Sequence, residues 1–241
     1  MNNFIFQNDT KVYFGKGCVK EYLAGLTKGA GTVLLAYGGG SIKQNGVYDE
    51  ITGILNEASK TIVEFSGIMS NPTYAKVQEG AKLALENHAD MILAVGGGSV
   101  MDCCKAVSLA ARYAGDIGMI FGRILALLIL NRCLWALLSR WRAPAASATA
   151  EPSLPTRRKR SRPGGITRSS IPVLALMDPT YTFSVPKKQM ASGSFDILSH
   201  IMETYFSAPD EDNVSDDIME ALMKSVIRNL RAAMQNPRDD T

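Results

Sequence analysis

Three short stretches of this 241-residue chain hold residue types able to do chemistry: Gly38-Gly39-Gly40-Ser41, Gly96-Gly97-Gly98-Ser99 and Asp196-Ile197-Leu198-Ser199-His200. Glycines lack a Cβ, so backbone N–H groups can approach a phosphate where a strand gives way to a helix, and the helix dipole favours an anion there. A tight turn with no ligand would explain one such run. Two copies in equivalent positions favour a ligand. Neither matches G-x-G-x-x-G, so an ordinary Rossmann assignment is not supported. Asp196 and His200 are four residues apart and share one helical face. Carboxylate plus imidazole suits Fe(II), Zn or Mn, although a surface hydrogen bond is the commoner use of such a pair.

The elements that must position these residues are legible around them. Gly31 to Tyr37 and Asp90 to Val95 are short aliphatic runs, each stopped by three glycines, and read as buried parallel strands. Between them, Val47 to Ala58 and Tyr74 to Asn87 carry apolar residues at helical spacing, with Val77, Ala81, Leu83 and Ala84 in the second. Strand-helix-strand alternation predicts an α/β sheet with ligands at the strand ends. Val173 to Met177 reads as a later strand ending at Asp178-Pro179. Val214 to Met234 reads as an amphipathic helix through Ile218, Leu222, Val226, Ile227 and Leu230.

Tyr37-Gly-Gly-Gly-Ser-Ile-Lys43, Asn71-Pro72 and Val95-Gly-Gly-Gly-Ser-Val-Met-Asp102-Cys-Cys-Lys105 resemble the N-terminal domain of the iron-containing (group III) alcohol dehydrogenases, in particular the butanol dehydrogenase branch. The resemblance covers residues 1–116 and 173–235. It implies an α/β, parallel-sheet dinucleotide-binding domain over 1–183, followed by the start of an all-helical metal-binding domain over 184–241. It also implies hydride transfer between NADP(H) and a primary alcohol or aldehyde such as butanol or butanal, with Fe(II) or Zn. The first turn would face the adenine ribose and the second would hold the pyrophosphate. The cofactor-side residues it implies are Gly38, Gly39, Gly40, Ser41, Asn71, Gly97, Gly98, Ser99, Asp102 and Tyr181; the metal ligands are Asp196 and His200, with no catalytic group beyond them. For Asp102 and Lys105, a helix N-terminal carboxylate and a solvated lysine are as good a reading as cofactor contact. Members with an acidic residue in the first turn tend to use NAD; Gly39 stands there in this chain, near Ser41 and Lys43, which favours NADP with NAD as the alternative. Family members use two further histidines as ligands. This chain has only His88 besides His200, on the wrong side of the fold, so the remaining ligands would lie beyond Thr241. A homo-oligomer is implied for the parent family.

From about Gly118 to Ile171 the chemistry changes. Ile124 to Leu130 is wholly aliphatic, and Arg-, Pro- and Ala-rich sequence follows. A membrane span needs about 20 mostly apolar residues, and Ile117 to Leu138 is broken by Arg123, Asn131 and Arg132. Back-translation gives a sharper account. Rebuilding codons from the last base of one and the first two of the next, Ile129 to Thr156 is compatible with the family's missing stretch, including a Gly-Thr-Gly-Ser-Glu loop. The expectation is a frameshifted segment over 118–171 without regular structure, in a truncated and inactive copy.

Bulk properties narrow the alternatives. The net charge of +3 is concentrated in that segment, at Arg140, Arg142, Arg157, Arg158, Lys159, Arg160, Arg162 and Arg168, and is no nucleic-acid signal. Cys18, Cys103, Cys104 and Cys133 show neither zinc spacing nor a secreted disulfide framework, and the N-terminus lacks a signal peptide pattern. A cytoplasmic enzyme with a small-molecule substrate, no nucleic acid and no membrane is the expectation. Glycerol dehydrogenase-like and dehydroquinate synthase-like enzymes are the rivals within the fold, and a non-catalytic nucleotide-binding remnant is the rival outside catalysis.

Overall fold

The computed structural model describes residues 10–113, 124–128, 172–207 and 214–237. Its elements run β1 (Lys11–Phe14), α1 (Cys18–Leu26), β2 (Thr32–Tyr37), α2 (Ser41–Gln44), α3 (Val47–Glu57), β3 (Thr61–Phe65), α4 (Tyr74–Glu86), β4 (Met91–Gly96), α5 (Gly98–Tyr113), β5 (Ile124–Leu128) and β6 (Leu174–Met177). A 3-10 helix (Pro179–Ser184), α6 (Lys187–Tyr205) and α7 (Val214–Gln235) follow among the described residues. The six strands form one sheet in the order β1-β6-β5-β4-β2-β3, and every neighbouring pair is parallel.

Strands covered on both faces need apolar side chains on both, which is why β2 and β4 read as unbroken aliphatic runs rather than alternating ones. Leu34 and Ala36 of β2 and Ile92 and Ala94 of β4 pack under α4 and α5, with Val77, Ala84, Cys104 and Val107. Val33, Leu35 and Tyr37 and Met91, Leu93 and Val95 face the other way. There α1 and α3 cover them through Val19, Leu23, Ile51 and Leu55. Several turns are set by glycines in the left-handed region, including Gly17, Gly40 and Gly46 immediately before α1, α2 and α3.

One expectation is corrected. Residues 118–171 were expected to lack regular structure, yet Ile124–Leu128 form β5 between β4 and β6, with Ile92 opposite Ile124 and Leu128 opposite Met177. The physical reason is the length and character of the run. Five consecutive aliphatic residues suit a strand in a parallel sheet, and β4 and β6 each offer an edge of backbone groups for it to pair with. The rest of that segment lies outside the described residues, as does Cys133.

Helices α6 and α7 pack on each other through Ile197, Ile201 and Val226, with Leu198, Met219, Leu222 and Met223 around them. The cluster is small for 41 helical residues. Phe195, Phe206, Val214 and Ile218 are more than half exposed. No helix among the described residues is long and apolar enough to cross a membrane.

Candidate functional site

Because all six strands are parallel, their C-terminal ends share one edge of the sheet, and both glycine runs lie on it. The run 38–41 follows β2, and the run 96–99 spans the end of β4 and the start of α5; these two strands are neighbours. From β2 the chain turns to α3 on one face, and from β4 it turns to α5 on the opposite face. Adjacent strands whose connections leave in opposite directions open a crevice between their ends, the usual ligand site of an open α/β sheet.

Side chains and backbone groups tie this edge together. Val100, 6% exposed, sits between the two turns: a Cβ on Gly96 would lie 2.6 Å from its Cγ2, and one on Gly38 would lie 3.9 Å away. Gly67 N donates to Gly38 O at 3.1 Å and Ile68 N to Tyr37 O at 3.3 Å, which holds the chain after β3 against the first turn. Ser99 Oγ donates to Ser70 O at 2.6 Å, which draws the next residue, exposed Asn71, towards the second turn. Gly39 and Gly97 have open space where a Cβ would point. Such positions let a ligand approach the backbone.

At the end of β6, Asp178 organises a third turn. It is buried and accepts from Gly17 N at 2.6 Å, Thr180 N at 3.0 Å and Thr180 Oγ1 at 2.6 Å. It thereby joins the loop after β1 to the start of the 3-10 helix. Tyr181, three residues on, is buried in the α1 and α3 face of the core. Burial raises its phenol well above the usual range, and the Glu50 carboxylate adds to the effect.

On α5, Asp102 is 5% exposed and Lys105 is fully buried. The solvated-lysine reading of Lys105 is therefore wrong. Its position three residues after a carboxylate on one helix explains how a buried ammonium is tolerated. Burial lowers its pKa to about 8, with Asp102 opposing the fall. The thiols of Cys103 and Cys104, buried alongside, are pushed up by burial, Cys103 to about 12, so neither is a reactive thiolate.

Asp196 and His200 do share one face of α6. Asp196 Oδ2 lies 3.9 Å from His200 Nε2, and Glu203 Oε2 lies 3.8 Å from Nδ1. These are ion-pair distances, too long for hydrogen bonds. Asp196 is exposed and His200 partly so. Among the described residues no group of three or more His, Cys, Asp or Glu is placed to hold a metal ion. The donor types fit iron or zinc, but two donors fall short of a centre, which ordinarily takes about three protein ligands even when one position stays open. His88 is exposed in the turn before β4, at the opposite edge of the sheet from the glycines.

Sequence reasoning missed the groups that hold the edge together: Val100, Ser70, Asp178, and the Tyr37, Tyr48 and Glu64 side chains beside the first turn. Asp178 had a signal, since Asp before Pro-x-Tyr is a capping pattern; Val100 had none outside the fold.

Comparison with known proteins agrees with this architecture. Residues 9–129 match the family model described as "Iron-containing alcohol dehydrogenase". NADH-dependent butanol dehydrogenase A of Clostridium acetobutylicum is 36% identical over 241 residues, covering 99% of this chain and 61% of that protein. The NADPH-dependent aldehyde reductase YqhD of Escherichia coli is 31% identical over 246 residues, with 99% and 61% covered. The solved structure of NADH-dependent butanol dehydrogenase A from Thermotoga maritima superposes with a TM-score of 0.81 at 31% identity, over 99% of this chain and 60% of that one. The chain thus spans about three-fifths of the length of these relatives. With the family match running from β1 through β5 and relatives aligned along nearly the whole sequence, this protein belongs to the iron-containing alcohol dehydrogenase family.

Proposed function

We propose that the chain is the nucleotide-binding part, with the first helices of the metal-binding part, of an oxidoreductase that moves hydride between a nicotinamide dinucleotide and a primary alcohol or aldehyde of the butanol and butanal class. The observation that carries this reading is the pair of glycine turns at adjacent strand ends across the switch point. The second turn opens the 16-residue α5, whose N-terminal N–H groups and dipole suit a pyrophosphate. On this reading residues 1–183 form the nucleotide domain and residues from 184 onwards the helical one. On the same reading Asn71, Asp102 and Tyr181 serve the cofactor side, Asp102 and Tyr181 from buried positions.

Relatives with NADH in their names and relatives with NADPH in theirs align along nearly the whole chain, so the cofactor is argued from the first turn. Gly39 presents no carboxylate to repel a 2′-phosphate and leaves open space for one. NADP is therefore the preferred dinucleotide. Calorimetric titration of the chain and a Gly39→Asp variant with NADP and NAD tests this; an unchanged ratio of the two affinities would refute it.

When bound, the family's metal supplies Lewis-acid polarisation of the alcohol or carbonyl oxygen. Asp196 and His200 would contribute two of its ligands. With only these two, the 241-residue chain is proposed to be inactive. The family match extends through β5 to residue 129, so the sequence fits the family past Gly118. The frameshift reading covers about 118–171, with its back-translation drawn from Ile129 to Thr156, and sequencing the encoding DNA across the codons for Ile117 to Pro172 tests it.

A further inference from the structure

The first glycine turn leads into a charged cluster that hydride transfer does not require. Lys43, in the single turn of α2, has its Nζ 3.5 Å from Glu64 Oε2, 4.3 Å from the centre of the Tyr48 ring and 5.3 Å from that of Tyr37. Glu64 stands on β3, the edge strand, and accepts hydrogen bonds from the hydroxyls of both Tyr37 and Tyr48. Tyr37 is the residue immediately before Gly38, and Tyr48 lies in the first turn of α3. The carboxylate therefore has three donors. The ammonium has one carboxylate and two ring faces. Hydrogen bonds from Tyr37 and Tyr48, with Lys43 behind them, hold the Glu64 carboxyl below its usual range. The contact with Tyr37 holds Lys43 above its own. Both groups are charged at neutral pH, and both are fixed beside a turn whose central glycine leaves room for a ligand.

A ribose with a free 2′-hydroxyl wants a hydrogen-bond acceptor, and a 2′-phosphate wants a cation. This cluster supplies one of each, bound to one another. We propose that the Lys43–Glu64 pair sets the choice made at the first turn: Lys43 is the cation that a 2′-phosphate meets, and Glu64 is the competing anion that holds Lys43 back. A 2′-phosphate must draw the ammonium away from Glu64 and tolerate that carboxylate nearby, so selectivity becomes a balance between two acceptors for one lysine. The tyrosines set the balance point, because their hydroxyls neutralise part of the Glu64 charge without supplying a cation. The inference rests on the reading of the first turn as the adenosine end of the dinucleotide site.

The test uses the whole chain and two small probes, 2′,5′-ADP and 5′-ADP, titrated by calorimetry at low and high salt. Lys43→Ala should lower the affinity ratio of 2′,5′-ADP over 5′-ADP by about five-fold, and Lys43→Arg should largely restore it. Glu64→Gln, which removes the charge and keeps an acceptor oxygen for one of the two tyrosine hydroxyls, should raise the ratio by about two- to five-fold. Tyr48→Phe separates charge from packing: it leaves both charges in place and should shift the ratio less than either. If both probes bind and neither Lys43→Ala nor Glu64→Gln moves the ratio, the Lys43–Glu64 assignment is overturned and the first-turn reading stands. If neither probe binds the unaltered chain, both are overturned.

Discussion

Val100 occupies the space that a side chain on Gly96 would need, its Cγ2 lying 2.6 Å from where that Cβ would be. Val100 is β-branched, buried and in the first turn of α5, so it cannot swing aside cheaply. Gly96→Ala should therefore cost about 1–3 kcal/mol in urea unfolding, through overpacking. The second-site change Val100→Ala should recover part of that loss in the Gly96→Ala background. Additive destabilisation in the double variant would show that the two residues do not compete for space.

Asp178 is a buried carboxylate with three donors drawn from two separate loops. Asp178→Ala would leave Gly17 N and Thr180 N without their acceptor beside the end of β6. A loss of about 2–4 kcal/mol is expected, with a smaller loss for Asp178→Asn, which keeps one acceptor oxygen. Thermal unfolding of the two variants measures the difference; an Asp178→Ala variant as stable as the parent would contradict the capping role.

Lys105 carries a pH dependence whose sign can be worked out. Its pKa falls from 10.5 to about 8 on folding, because burial disfavours the ammonium. Between those values the unfolded chain holds a proton that the folded chain has released, so stability rises with pH across that window. The ceiling on this gain is on the order of 3 kcal/mol. Unfolding measured at intervals from pH 7.5 to 10.5 should show the rise in the parent chain and its loss in Lys105→Met, the difference between the two curves isolating this group.

The 241-residue chain, supplied with Fe(II), NADPH and butanal, should consume no NADPH. Asp196 and His200 provide two donors, and the chain's other histidine, His88, sits at the far edge of the sheet. Calorimetry with Zn should likewise find only weak binding, abolished by His200→Ala. Turnover comparable to that of a full-length relative would contradict the donor count.

The core strands and helices were legible because their signals are local. Thr32–Tyr37 and Met91–Gly96 are apolar runs stopped by glycines, and Tyr74–Glu86 and Val214–Gln235 carry the helical period. Lys11–Phe14 and Thr61–Phe65 lie at the sheet's two edges, where mixed burial blurs the pattern, and the sequence reading did not pick them out. Ile124–Leu128 was masked by its surroundings, since its strand character depends on a slot built by residues far away in sequence. The glycine turns were legible as chemistry, whereas the two readings of Lys105 stayed open, and its burial removes the solvated one, because helical spacing alone does not say which face of α5 is covered. The Lys43, Tyr37, Tyr48 and Glu64 cluster spans β2, α2, α3 and β3, and only folding brings its members together.

The apolar side chains that α6 and α7 leave exposed bear on how the protein behaves in a test tube. Phe195, Phe206, Val214 and Ile218 give this helical pair a greasy exterior, larger in kind than a lone exposed leucine. A hydrophobic dye should light up in the native protein without any denaturant, and sedimentation should become concentration-dependent. The purification yield would then be decided at these four side chains rather than in the well-packed sheet, and polar replacements there are the practical route to a sample fit for the titrations above.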